Sequence, residues 1–197
     1  MKNTSVTTSE YTGFSNQMIG EITFNDGSVQ AGYCRLPGKY GQHLWVNFSS
    51  AYDGKYQLFY PEDLVSYKVD NGGEYISRVV KIDNDSGRYV DKRIFLKYEI
   101  KSDLSLLSRY YGTSNAYYIL TKNDEVYPLL YDEVLLKKGP QNPNYQKAIY
   151  KREIYKQTLL NLFKDCPLTP ENYIKNMNYD FGSLSDFVFR YNRCLQK

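Results

Sequence analysis

The sequence predicts an α+β fold. An antiparallel, β-rich body of meander or barrel-like character occupies residues 18–130, and a three-helix C-terminal segment follows over residues 142–197. Three observations lead there. Apolar residues alternate at period two around the Asp26-Gly27 and Asp53-Gly54 turns, the signature of hairpins. Gly139, Pro140 and Pro143 then interrupt the pattern, and residues 131–141 read as a linker. Beyond them the period turns helical, most clearly where Leu184, Phe187, Val188, Tyr191, Cys194 and Leu195 fall on one stripe. That stripe needs a buried partner, most simply the sheet, so the helices are expected to dock on it.

The elements follow in order. Residues 1–17, rich in Ser, Thr and Asn, read as a loose lead-in. Pairing Asn25 with Ser28 leaves Asp26-Gly27 as a two-residue type I′ loop, with Phe24 opposite Val29 and Ile22 opposite Ala31. Leu44, Val46 and Phe48 alternate in the next strand. Pairing Tyr33 with Val46 sets Cys34 opposite Trp45 and Leu36 opposite His43. Pairing Tyr52 with Lys55 around Asp53-Gly54 sets Phe48 opposite Phe59. Residues 18–60 therefore read as a four-stranded antiparallel meander. Tyr60-Pro61-Glu62-Asp63-Leu64 reads as a corner. Further strands are expected at 65–69, 74–82, 88–100, 104–111, 115–121 and 125–130, with a turn at Asn71-Gly72-Gly73. A first helix is expected over 144–165. A second starts with Thr169 as N-cap and Pro170 at the first helical position, and a third starts at Ser183-Leu184-Ser185-Asp186.

Composition constrains the function classes. The chain has 197 residues, 22 of them Tyr against nine Phe, so tyrosine has to supply ring volume that aliphatics usually supply. By count, 15 tyrosines fall in residues 1–130 and seven in 131–197. So even a spread marks them as packing material for both halves, and Tyr33 and Tyr191 read as core-facing. A net charge of +3, without a basic run interleaved with aromatics, speaks against a nucleic-acid partner. No apolar run approaches the roughly 20 residues of a membrane span. Met1-Lys2-Asn3-Thr4-Ser5 has no hydrophobic region of a signal peptide. The chain is thus expected to be cytoplasmic, or extracytoplasmic (periplasm, envelope or secreted) with a signal already removed.

Few residues carry obvious chemistry. With one His and three Cys, neither a metal site nor a cofactor is expected. Cys34 and His43 would share the Trp45 face, where a Cys–His dyad is conceivable but lacks an orienting acid and a basic neighbour. A packed sheet face is the plainer account. Asp83-Asn84-Asp85-Ser86-Gly87 imitates the start of a calcium loop, but its twelfth position is Ile94 and it reads as a turn. Glu62 with Asp63 and Asp132 with Glu133 read as solvated surface, as does the basic side formed by Lys147, Lys151, Arg152 and Lys156. Cys166 ends one helix and Cys194 lies on the last. They could bridge, which would contribute about 3.5 kcal/mol through chain entropy, or they could be two buried thiols.

Two C-terminal segments carry a resemblance. Leu160-Asn161-Leu162-Phe163-Lys164-Asp165-Cys166-Pro167 and Phe187-Val188-Phe189-Arg190-Tyr191-Asn192-Arg193-Cys194 resemble the end of a family of uncharacterised Bacteroidetes proteins. Gly20–Tyr33 and Tyr60-Pro61-Glu62-Asp63-Leu64 resemble its N-terminal part. The resemblance covers roughly residues 18–195. It implies export to the envelope and favours the Cys166–Cys194 bridge, and it brings no activity and no catalytic residues. The resulting expectation is a non-catalytic, envelope-associated protein that binds a protein or glycan through an aromatic sheet face, with Trp45, His43, Cys34 and Tyr56 as its ligand-binding residues. Sheet aromatics stack on sugars and anchor protein contacts. The alternatives are an assembly subunit without a small ligand, or an enzyme using carboxylates or the Cys/His pair.

Overall fold

The computed structural model describes residues 17–83, 89–111, 114–130, 132–136, 148–152, 154–163 and 165–196. The fold is α+β, a ten-stranded antiparallel sheet followed by three helices. The strands are β1 (Met18–Phe24), β2 (Val29–Arg35), β3 (Val46–Ser49), β4 (Gln57–Phe59), β5 (Leu64–Val69), β6 (Gly73–Asp83), β7 (Tyr89–Ile100), β8 (Leu104–Tyr111), β9 (Ser114–Thr121) and β10 (Val126–Leu129). They hydrogen-bond in the order β10-β9-β8-β7-β6-β5-β1-β2-β3-β4. The expected meander over 18–60 is present as β1-β2-β3-β4. Both outer strands are blunted against further pairing: β4 has three residues, and β10 contains Pro128. The chain forms two compact units. One comprises residues up to Tyr98 with Ser108–Asn115, the other Glu99–Leu107 with the residues from Ala116 onward.

The first unit shows why β1 and β2 pair one residue away from the expected register. Phe24 N–H donates to Ser28 O at 2.9 Å, and Gly27 N–H to Phe24 O at 3.0 Å. The loop is therefore three residues, Asn25-Asp26-Gly27, closed by Gly27 at φ 84°. Asp26 fixes it by accepting the Ser28 amide and hydroxyl at 2.8 and 2.6 Å, which lowers its carboxyl pKa. Thr23, not Phe24, faces Val29, and Ile22 faces Gln30. A shift of one residue exchanges the two faces of a strand, so this correction decides what is buried.

The registers of the next two hairpins are also corrected. Tyr33 pairs with Ser49 and Cys34 with Phe48, because Leu36–Trp45 leaves the sheet and includes a 3-10 turn over Gly41–His43. Pro37 and Gly38 end the strand before it can carry His43. Val46 faces Phe59, and Phe48 faces Gln57. Inside, Ile22, Cys34, Val46, Phe48, Phe59, Leu64, Tyr67, Val69, Tyr75 and Phe95 form one buried cluster with Leu36. Tyr67 and Tyr75 stack at 4.5 Å, with Phe95 edge-on to Tyr67. Their hydroxyls reach backbone and side-chain oxygens at the edge of the core: Tyr67 donates to Gln42 O at 2.6 Å, and Tyr75 donates between Gln42 Oε1 at 3.1 Å and Gly72 O at 3.3 Å.

The second unit contains β9, β10 and the helices α1 (Ile154–Phe163), α2 (Glu171–Lys175) and α3 (Phe181–Leu195). Leu104, Leu106, Tyr117, Ile119 and Leu129 pack with Tyr155, Leu159, Phe163, Ile174, Met177, Leu184, Phe187 and Val188 in one cluster. The helices thus bury their apolar stripe on strands of their own unit. Tyrosine again spans core and backbone. Tyr155 donates to Met177 O at 2.8 Å, and Tyr179 donates to Leu129 O at 2.7 Å while accepting Tyr117 N–H at 3.1 Å. Asn192 occupies the stripe beside Val188; its side chain accepts Leu104 N–H at 2.8 Å and donates to Leu104 O at 2.9 Å. Leu195, expected inside, is exposed.

Several helical boundaries differ from expectation. Residues 132–136 and 148–152 are not linker and helix but strands β11 (Asp132–Leu136) and β12 (Ala148–Arg152), paired antiparallel in a separate two-stranded sheet. The β-formers Ile149 and Tyr150 and the pairing itself outweigh a weak helical pattern. The expected basic helix face is thereby divided: Lys151 and Arg152 lie on β12, Lys156 lies on α1, and Lys147 lies outside the described residues. Gly139, Pro140, Pro143 and most of the calcium-like turn also lie outside them. Pro170, not Thr169, is the N-cap of α2; the buried Thr169 hydroxyl donates to Cys166 O at 3.4 Å instead. Asp180 caps α3 by accepting Ser183 N–H at 2.7 Å, so that helix starts two residues before Ser183. Cys166 and Cys194 lie at disulfide distance, with Cα atoms 5.9 Å apart.

Candidate functional site

The four expected ligand-binding residues do not share one surface. Cys34 is 0% exposed and His43 is 3% exposed. Both belong to the interior of the first unit, and Trp45 and Tyr56 are half-buried. Burial pushes the Cys34 thiol up to about 12, away from the thiolate that a nucleophile needs. His43 is spent on structure. Its Nδ1 lies 2.7 Å from Phe95 O, and its Nε2 accepts Tyr110 N–H at 3.0 Å. That pattern requires the neutral tautomer with the proton on Nδ1. Burial lowers the pKa to about 4, with Arg109 and Lys97 repelling the charged form as well. Neither ring nitrogen is left to act as a base toward Cys34. The Cys/His dyad is thus replaced by two separate core residues.

The exposed surface is built by the opposite face of the same strands. On β2, Cys34 points inward, so Val29, Ala31, Tyr33 and Arg35 share the outer side. Tyr33, expected in the core, is half-buried there, with Ile19 of β1 directly across from it. Tyr52 extends the patch from the β3–β4 loop and meets Tyr33 edge-to-face at 5.5 Å. The loop that carries Tyr52 is held by Gln17 Nε2 donating to Tyr52 O at 2.8 Å and by Ser49 Oγ donating to Ala51 O at 2.9 Å. Tyr52, Ile19 and Val29 are 64%, 61% and 60% exposed.

Arg35 continues the row beyond Tyr33. Its guanidinium lies over the Tyr56 ring, 4.2 Å from the centroid. Tyr56 carries a buried hydroxyl with no hydrogen-bond partner among the described residues. Among the described residues no carboxylate pairs with Arg35. The result is a row, Tyr52–Tyr33–Arg35–Tyr56, in which β2 supplies Tyr33 and Arg35, the β3–β4 loop supplies Tyr52 and Tyr56, and Ile19 of β1 lies across from Tyr33. Of the expected site residues, only Tyr56 takes part. Sequence reasoning missed the others because it placed Tyr33 inside; the period-two run Val29, Ala31, Tyr33, Arg35 was the available signal.

In the second unit Tyr173 donates to Asp186 Oδ2 at 2.7 Å and Arg190 Nε pairs with the same oxygen at 2.7 Å, beside a cleft lined by Asn172, Tyr173, Asn176, Met177, Ser183 and Asp186. A cleft of about 240 Å³ in the second unit is lined by Asp103, Glu125, Leu162, Phe163, Tyr191 and Leu195, among others. Asp63 is occupied in accepting Tyr60 N–H at 2.8 Å, which closes its corner. No group of three or more metal-ligating side chains occurs among the described residues. No helix in them is long and apolar enough to cross a membrane. No protein-family model, curated protein or solved structure matches the chain.

Proposed function

We propose that this protein is a non-catalytic binding protein that holds a protein or glycan partner on the outer face of β1–β4. The observation that carries the reading is the tyrosine pair Tyr33–Tyr52, edge-to-face at 5.5 Å between strand β2 and the β3–β4 loop, with Tyr52 mostly in solvent. Large rigid rings contribute contact area at low entropic cost, which is why they anchor partners at interfaces. Ile19, directly across from Tyr33 and 61% exposed, adds aliphatic surface to the pair. The Cys166–Cys194 pair fits an oxidising compartment, as does the resemblance of the C-terminal segments to an exported Bacteroidetes family. Together they favour an extracytoplasmic, envelope-associated protein.

The test is a Tyr33→Ala/Tyr52→Ala double variant, screened with the wild type on a glycan array and against a displayed peptide library. A gain of ligands by the wild type, lost at least tenfold in a folded double variant, is the expected result. Ligands retained by the variant would remove the site from this face. The exposed aliphatics favour one second reading, an assembly subunit whose copies meet through the same patch. It predicts concentration-dependent association on sizing that Ile19→Lys abolishes.

A further inference from the structure

We infer that the partner is a protein that presents an acidic side chain, aspartate or glutamate, to Arg35 from within an apolar segment. The inference rests on the proposed face and names the chemistry of its occupant. An arginine guanidinium presents a planar fork of donors that matches the two oxygens of a carboxylate. Here the guanidinium carbon lies over the Tyr56 ring, 4.2 Å from its centroid, and no carboxylate among the described residues pairs with it. A guanidinium on an aromatic ring keeps its edge donors free and oriented, the geometry that takes a carboxylate through two parallel hydrogen bonds. The Tyr56 ring beneath it is half-buried, with its hydroxyl turned inside.

The surroundings select the class of partner. Ile19 lies across from Tyr33, and Val29 shares the outer side of β2 with Arg35. Aliphatic side chains at about 60% exposure contribute to a protein contact through burial, whereas a polysaccharide uses rings and polar donors and gains little from them. A segment combining an acid with apolar neighbours matches both halves of the row at once. It pairs with Arg35 and covers Ile19, Tyr33 and Tyr52.

The experiment selects dodecapeptides from a random displayed library against the full chain, then measures the enriched peptides on wild type, Arg35→Gln, Arg35→Lys and Tyr52→Ala. Arg35 and Tyr52 are exposed, so these variants keep the core intact. The expected peptides carry Asp or Glu beside aliphatic or aromatic residues. Their affinity falls at least tenfold in Arg35→Gln, less in Arg35→Lys, and declines as salt rises from 50 to 500 mM, on the order expected for a screened ion pair. Enriched peptides that bind Arg35→Gln unchanged but lose Tyr52→Ala would overturn the acid while leaving the face. Peptides indifferent to Tyr52→Ala would overturn the face itself. Polygalacturonate is the second probe: Arg35-dependent binding to it, without any enriched peptide, would overturn the protein partner. Failure to enrich any peptide or to bind polygalacturonate would overturn the inference outright.

Discussion

Acidification offers a direct test of the interior of the first unit, because His43 is the only imidazole in the chain. Folded, it is neutral, with a pKa lowered from 6.5 to about 4, first by burial and then by Arg109 and Lys97. Unfolded, it recovers the ordinary value. Between pH 6.5 and 4 the unfolded chain therefore binds more protons, and stability falls as pH falls. The stabilising contribution is complete above pH 6.5 and gone below about 4. At 1.36 kcal/mol per pKa unit the full loss is about 3 kcal/mol. The geometry explains the sign independently of burial: protonated Nε2 would point a donor at the Tyr110 N–H it now accepts. Urea unfolding from pH 7.5 to 3.5 on wild type and His43→Gln isolates the term, since carboxylate contributions are common to both. The stability difference between the two should shrink by about 3 kcal/mol across that window. A two-dimensional NMR titration of the single imidazole provides the second readout. An imidazole titrating near 6.5 in folded protein, or a stability difference between the two proteins that stays constant across the window, would refute the reasoning.

Two further predictions concern the second unit. Asn192→Ala leaves both backbone groups of Leu104 buried without partners, which should cost about 2–5 kcal/mol in chemical denaturation, whereas an exposed neighbour such as Arg193→Ala should cost under about 0.5 kcal/mol. Cys194→Ser, or reduction of wild type, should lower stability by about 3.5 kcal/mol, with equal thermal midpoints for reduced wild type and the serine variant.

The turn at Asp26-Gly27 was legible, but its register was not. The same dipeptide serves a two-residue loop and a three-residue loop ending in a left-handed glycine, and only the ladder beside it decides. The order of β1-β2-β3-β4 was legible because the strands adjoin in sequence. The faces were not: period two separates Tyr33 from Cys34 without saying which lies inside. His43 and Asn192 carried no local signal at all. Their partners are backbone groups 52 and 67 residues away for His43, and 88 residues away for Asn192. Such bonds depend on where the chain returns, which side-chain periodicity does not encode. The cysteine pair was legible as a candidate because its members lie at helix ends, where an antiparallel return brings residues together.

Trp45 is the only tryptophan in the sequence, and it belongs to the first unit. The unit that holds the three helices and the cysteine pair carries tyrosine chromophores alone. Excitation at about 295 nm therefore reports on one unit, while far-ultraviolet helical ellipticity at 222 nm reports mainly on the other. Two spectroscopic channels already present in the native chain can thus establish, without labels, whether the units melt as one cooperative block or in sequence. Coincident curves would license a single unfolding free energy for the whole protein. Separated curves would assign the acid-sensitive and thiol-sensitive steps to their own transitions.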